Sequence, residues 1–225
     1  MATPLPQILS NLHAAAEAAG RPDPRLLAVS KTQPAEAVAA LAAQGQQAFG
    51  ENYVQEALAK MQALQHLALE WHLIGHLQSN KAEAVATHFD WVQSVDRPKL
   101  VTALARHRPA ARGPLNVLIQ VNIDDESSKH GCAPEAVDAL AAAIAAEPTL
   151  RLRGLMAIPA PWPEAERRRD AFVRMRTLFE SLAAQHVQID TLSMGMSSDY
   201  AEAIAEGATL VRIGTALFGA RARPA

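Results

Sequence analysis

The run NVLIQVN, residues 116–122, is the strongest strand signal in the chain. It is an almost continuous apolar run, which is typical of a strand that is covered on both faces. Seven further strands are predicted at residues 25–31, 47–52, 70–75, 91–95, 152–158, 191–195 and 209–214. Helices are predicted for the longer amphipathic stretches at residues 5–19, 34–44, 53–67, 97–107, 134–146, 164–184 and 198–206.

Eight strands that alternate with helices predict a parallel sheet. Eight is also the number that closes a (β/α)8 TIM barrel, and a chain of 225 residues has a suitable length. We therefore expect a single α/β domain over residues 1–225, a TIM barrel with an extra N-terminal helix. An open doubly wound sheet is the alternative, but no Gly-x-Gly-x-x-Gly follows a predicted strand, which disfavours its dinucleotide-binding form.

The composition indicates a soluble cytoplasmic protein. Apolar residues make up 49% of the chain and the formal net charge is -2, so nothing favours a nucleic-acid partner. The single cysteine, Cys132, rules out an internal disulfide and is expected to be an inert side chain. The first twenty residues have no signal-peptide pattern, and no apolar run approaches the roughly 18 residues of a membrane helix.

In a barrel of this type, functional residues lie where the strands end. Lys31 follows the first predicted strand, in the stretch LLAVSKTQP at residues 26–34. At the mouth of a barrel a lysine is partly desolvated, which favours its neutral amine, the form that attacks an aldehyde to give a Schiff base. The alternative is a surface lysine that happens to follow a strand.

The last two predicted strands end in loops that are suited to an anion. The stretch SMGMSSD, residues 193–199, and the stretch RIGTALFG, residues 212–219, combine glycines, hydroxyl groups and the start of a helix. Helix N-termini bind phosphate groups, and the phosphate site of a TIM barrel often comes from the loops after strands 7 and 8. Ordinary helix capping by serine and threonine is the alternative.

A reactive lysine beside a phosphate site predicts a phosphorylated aldehyde as the ligand. Strands 1 and 8 are neighbours in a closed barrel, so Lys31 is expected to face these two loops. Pyridoxal 5'-phosphate (PLP) is the common cofactor of this description. Arg212, before the glycine of the last strand end, is placed to point at the cofactor ring, with a salt bridge at the barrel end as its alternative role.

Six stretches together resemble the pyridoxal phosphate homeostasis proteins (the YggS/PROSC family). They are AVSKTQP, FGENYVQE, WHLIGHLQSNK, SSKHG, GLMAI and LSMGMSSDYAEAIAEGATLVRIGTALFG, and the resemblance covers residues 25 to 221. It implies a barrel like the N-terminal domain of alanine racemase, with PLP held as a Schiff base on Lys31. It also implies an arginine, Arg212, that faces the pyridine nitrogen. The remaining cofactor-binding residues that it implies are Asn52, His72, Ser193, Gly195, Ser197, Gly214 and Thr215.

The resemblance implies intracellular PLP homeostasis and delivery, with PLP and apo PLP-dependent enzymes as partners and no proven catalytic reaction. Arg212 cannot accept a hydrogen bond, so it favours an unprotonated ring that stabilises a carbanion poorly. Racemases take a second base, a tyrosine, from a separate domain, and we expect no room for one before Ala225. Its absence also favours a monomer, and we assign no catalytic residue.

Two other functions stay open at this point. One is a PLP-dependent amino-acid racemase of limited scope that uses one base. The other is a phosphosugar isomerase or aldolase that uses Lys31 and the phosphate loops without PLP. A metal site is not expected, because His72 and His76 straddle a strand end, where their spacing does not give a ligand pair.

Overall fold

The fold is a closed barrel of eight parallel strands, in a computed structural model that describes residues 2–126 and 129–219. The strands pair in chain order, and β1 also pairs with β8. Their bounds are β1 Arg25–Val29, β2 Ala48–Glu51, β3 Glu70–Leu73, β4 Trp91–Val95, β5 Leu115–Val121, β6 Leu150–Ala157, β7 Thr191–Ser193 and β8 Leu210–Ile213. The predicted TIM barrel is confirmed, and the open doubly wound sheet is excluded.

The helices alternate with the strands. Their bounds are α1 Leu5–Ala18, α2 Ala35–Ala42, α3 Val54–Ala63, α4 Ala82–His88, α5 Pro98–His107, α6 Val137–Ala145, α7 Ala165–Gln185, α8 Tyr200–Ala205 and α9 Thr215–Phe218. Helix α1 precedes the first strand, as predicted, and it packs on α8. Two short helices, α4 and α9, were not predicted. Helix α4 has only one large buried side chain, Val85, so its apolar pattern is weak.

The main apolar core lies between the strands and the helices that cover them. It includes Phe49, Leu73, Val92, Leu155 and Phe172, all almost fully buried. Parallel strands covered on both faces are continuously apolar, and this explains why the run at residues 116–122 is such a strong strand signal. Two smaller buried clusters, around Leu27 with Leu210 and around Trp91 with Met156, hold the alternate strand residues.

Every strand except β4 ends one or two residues before the end that the sequence predicts. Strand β1 ends at Val29, two residues before Lys31, and β3 ends at Leu73. The apolar runs continue past the last paired residues because the first residues of the loops are also buried: Ser30 and Ile74 are at most 9% exposed. Lys31 therefore lies in a turn at the mouth of the barrel.

Candidate functional site at the carboxyl ends of the strands

Lys31 lies in a turn that follows β1 directly. The amide of Gln33 donates to the carbonyl of Ser30 at 3.0 Å, which closes a four-residue turn around Lys31 and Thr32. Ser30 is fully buried and Lys31 is half-buried. The strand thus delivers the lysine to the barrel mouth on a hydrogen-bonded turn.

Three charged side chains, two of them buried and one partly exposed, form a cluster behind this turn. The ammonium group of Lys60, on α3, donates to Oε1 of Glu51 at 2.7 Å and to Oε1 of Glu56 at 2.6 Å. Glu51 ends β2 and is fully buried, and Lys60 is 5% exposed. Burial raises the pKa of Glu51, while its hydrogen bonds from Lys60 and Ser30 act in the opposite direction. We call Glu51, Glu56 and Lys60 the ion cluster.

Arg212 is a buried cation with neutral hydrogen-bond partners. Its guanidinium donates to the hydroxyl of Ser193 at 2.7 Å and to the carbonyl of Ala157 at 2.8 Å. An arginine has five N–H groups, and within residues 2–126 and 129–219 the others make no hydrogen bond. Burial lowers the pKa of Arg212 to about 10, with the charge of Asp199 acting against it. The side chain stays protonated near neutral pH and keeps donors for a further acceptor.

A chain of hydrogen bonds inside the barrel supports Arg212. The Ser193 hydroxyl donates to Oε1 of Gln93 at 2.7 Å, and Nε2 of Gln93 lies 2.9 Å from Nδ1 of His72. Nε2 of His72 lies 2.7 Å from Oε1 of Glu70. Because a carboxylate accepts, His72 carries its proton on Nε2, and Nδ1 accepts from Gln93. Each hydrogen bond from Glu70 to Arg212 therefore has one donor and one acceptor.

His72 is held neutral at the centre of this chain. It is fully buried and stacks on Trp91, with ring centroids 5.1 Å apart and an interplanar angle of 6°. Burial lowers the pKa of His72, although Glu70 acts to raise it. The sequence assigns His72 and Ser193 to the cofactor site, and both lie inside the barrel. Ser193 is hydrogen-bonded to Arg212, and His72 is connected to Ser193 through Gln93. Their direct contact with a cofactor stays a prediction.

Glycines let the loops after β7 and β8 pack closely on the elements beside them. A Cβ on Gly214 would lie 3.2 Å from the carbonyl oxygen of Val29, so the last loop packs closely on the end of β1. Gly195 has a φ of +90° and a side chain there would meet Cβ of Ala203 at 2.6 Å. Ser197 lies on the loop after β7 and Thr215 begins α9, and both side chains are exposed. Their contact with a phosphate beside Lys31 stays a prediction.

Asn52 lies at the other edge of the mouth. A Cβ on Gly75 would lie 2.2 Å from the carbonyl oxygen of Asn52, so the loops after β2 and β3 are in close contact. A cleft of about 500 Å³ is lined by Asn52, Tyr53 and His76 and by neighbours from the same loops. Neither Lys31 nor Arg212 lines this cleft, which places Asn52 at the margin of the site.

One group of side chains has the composition of a metal site. His76, Asp96 and His130 have ligand atoms within 4.8 Å of one another. The sequence considered only His72 with His76, and the structure instead brings His76 against His130, with ring centroids 3.8 Å apart. Asp96 is already neutralised by Arg97, whose guanidinium lies 2.5 Å from it. The expectation of no metal ion stays a prediction.

The single cysteine lies near this group. Burial raises the pKa of Cys132 to about 11, which keeps the thiol protonated.

Two residues that matter here were not singled out from the sequence. Gln93 is a fully buried amide within the run WVQSV of β4, and a lone polar residue in an apolar strand is the signal that would have found it. Lys60 falls on the apolar stripe of α3 with Ala57, and Leu64, directly after the helix, continues that stripe. A lysine on a buried helix face requires a partner, and this was a second usable signal.

The comparisons with known proteins first define a class. The family model described as "Alanine racemase, N-terminal domain" matches residues 4–222. Alanine racemase from Corynebacterium glutamicum has the same fold, with a TM-score of 0.67 at 21% identity, over 96% of this chain and 61% of that one. The fold and the site thus define a barrel of the alanine racemase N-terminal-domain type.

Closer relatives identify the family within this class. The pyridoxal phosphate homeostasis proteins of Pseudomonas aeruginosa and Escherichia coli K12 are 55% and 53% identical, over 96% of this chain and 93% and 95% of theirs. The structure of PipY from Synechococcus elongatus PCC7942 with PLP bound has a TM-score of 0.81 at 38% identity, over 94% of this chain and all of that one. The chain belongs to the pyridoxal phosphate homeostasis protein family.

Proposed function

We propose that this protein binds PLP through Lys31 and takes part in intracellular PLP homeostasis and delivery. The observation that carries the proposal is Arg212, a buried cation with spare donors and neutral partners, close to the strand end that presents Lys31. Lys31 would hold PLP, which would supply an aldehyde to the lysine amine, with a C=N bond replacing C=O and water as the leaving product.

The residues at the mouth fit such a ligand. Arg212 donates hydrogen bonds and cannot accept them, so it suits an unprotonated ring nitrogen. Gly195 and Gly214 remove side chains where the loops approach β1 and α8, and Ser197 and Thr215 add hydroxyl donors for a phosphate. Asn52 borders the mouth. His72 and Ser193 act by fixing the orientation of Arg212.

The same geometry disfavours broad catalysis. Arg212 at the ring nitrogen would leave the ring neutral, and a neutral ring would be a weak electron sink. We therefore assign binding and delivery to the protein, with apo PLP-dependent enzymes as recipients, a monomeric state and a cytoplasmic location. Within the described part of the chain, no helix combines the length and apolar character needed to cross a bilayer. A racemase that uses one base is the alternative, and turnover of an amino acid that is lost in Lys31→Ala would support it.

The proposal is tested by the visible spectrum, followed by borohydride reduction and peptide mass mapping. We expect a yellow protein with the reduced pyridoxyl group on Lys31, and no such adduct in Lys31→Ala. Lys81→Ala is the matched control, because Lys81 lines the neighbouring cleft and is expected to leave the adduct unchanged. A wild-type protein that stays colourless with added PLP would contradict the proposal and favour the phosphosugar function.

A further inference from the structure

The turn that carries Lys31 contains a strained residue. Thr32 has a φ of +63°, in the left-handed region that favours glycine. A β-branched residue is a rare outlier there, and such a conformation persists only when its surroundings hold it. The residue directly after Lys31 therefore needs contacts that keep the turn in this shape.

The ion cluster supplies these contacts on both sides of Lys31. The amide of Thr32 donates to Oε1 of Glu56 at 2.5 Å. The carbonyl of Ser30 accepts from the Lys60 ammonium at 2.7 Å, and the Ser30 hydroxyl donates to Oε1 of Glu51 at 2.6 Å. The residue before Lys31 and the residue after it are thus both bound to the cluster.

The contacts of the ion cluster do more than pack α3 on the barrel. Among the described residues, the side chains of the cluster make five hydrogen bonds: three end on Ser30 or Thr32, and the other two join Lys60 to the two carboxylates. A pair that only attached α3 to β2 would need the Lys60–Glu51 contact alone. Glu56 instead joins Lys60 to the backbone of the strained residue.

We infer that Glu56, together with Lys60 and Glu51, forms a positioning device that holds the Lys31 turn in the conformation that presents the amine to the PLP aldehyde. This inference rests on the proposed function of Lys31. The cluster touches the backbone around the lysine, so its members are positioning residues. Their effect is expected on the rate at which Lys31 reacts, because a turn that relaxes presents the amine for only part of the time.

The test measures how fast the borohydride-reducible adduct forms on Lys31 after PLP is added to ligand-free protein. Glu56→Leu removes the acceptor for the Thr32 amide, and we expect the rate to fall about tenfold, which corresponds to about 1.4 kcal/mol. Glu83→Leu is the matched control, an exposed glutamate in the first turn of α4, and is expected to change the rate less than twofold. A second readout without PLP is the acetylation rate of Lys31 by acetic anhydride.

Rescue by glycine distinguishes positioning from general stabilisation. Thr32→Gly adopts a positive φ without strain, so it should restore most of the rate in the Glu56→Leu background. If Glu56→Leu folds poorly, Glu56→Gln, which keeps an acceptor oxygen, should retain more than half of the wild-type rate.

A Glu56→Leu rate within twofold of wild type in folded protein, or a slow rate that Thr32→Gly leaves unchanged, would overturn the inference. Wild-type protein without any adduct on Lys31 would instead overturn the proposed function. The two failures are therefore distinguishable.

Discussion

Lys60 and Arg212 are both buried cations near the barrel mouth, but the protein neutralises them in different ways. Lys60 lies between two carboxylates, Glu51 and Glu56. Arg212 binds a hydroxyl and a backbone carbonyl, and no carboxylate pairs with it in the described part of the chain. A buried charge that is already paired cannot lose its partner without a large cost, whereas a charge with neutral partners remains available to a ligand.

This difference predicts which cation supports folding and which supports binding. Removing one member of a buried ion pair leaves an uncompensated charge, while removing a cation from neutral acceptors leaves only polar groups unpaired. Methionine is an uncharged, unbranched side chain that can replace either cation. Lys60→Met and Arg212→Met therefore test the comparison directly.

Lys60→Met is expected to have the largest effect on stability, a loss of about 3–5 kcal/mol in the free energy of unfolding. Urea denaturation near neutral pH measures it. The loss should shrink in mildly acidic buffer, because protonation of Glu51 removes the buried negative charge. Lys99→Met, at an exposed position in α5, should stay within about 0.5 kcal/mol of wild type. A loss below about 1 kcal/mol for Lys60→Met would show that the carboxylates do not depend on this cation.

Arg212→Met is expected to cost less stability, about 1–3 kcal/mol, because only Ser193 and Ala157 lose a partner. Its larger effect should be on the ligand, with PLP bound at least about tenfold more weakly in equilibrium dialysis, or about 1.4 kcal/mol. Arg106→Met, an exposed arginine of α5, controls for the change in net charge. The comparison fails if Arg212→Met unfolds the protein as strongly as Lys60→Met and leaves PLP affinity unchanged.

The barrel could be predicted from the sequence because each strand is an apolar run and the runs are separated by helical patterns. The strand ends could not, because Ser30 and Ile74 are buried without belonging to the strands. Helix α4 was missed since its buried face consists mainly of alanine. The boundary of a single domain at residues 1–225 stays a prediction.

The candidate site was predicted from one rule, that function lies at the carboxyl ends of barrel strands. That rule places Lys31, Arg212 and the loops after β7 and β8 together, and the pairing of β1 with β8 brings them side by side. It could not show which polar residues support them. The links from Glu56 to Thr32 and from Gln93 to Ser193 join residues 24 and 100 positions apart, and only the folded barrel brings these residues together.

The smallest of these effects concerns the neutral chain that supports Arg212. Burial lowers the pKa of His72 below its usual 6.5, so below that pH the unfolded chain binds a proton that the folded protein excludes. Stability should therefore fall as the pH drops below 6.5, by at most about 1.4 kcal/mol per pH unit from this residue. Burial raises the pKa of Glu70, but His72 and Arg25 outweigh it and lower that pKa to about 2. Glu70 therefore adds a loss of stability only below pH 4.5, the pKa that it has in the unfolded chain. Urea midpoints of wild type and His72→Gln between these two pH values should differ in slope, with the variant flatter. His66→Gln, at an exposed position, should keep the wild-type slope, and equal slopes in all three proteins would show that His72 is not held neutral.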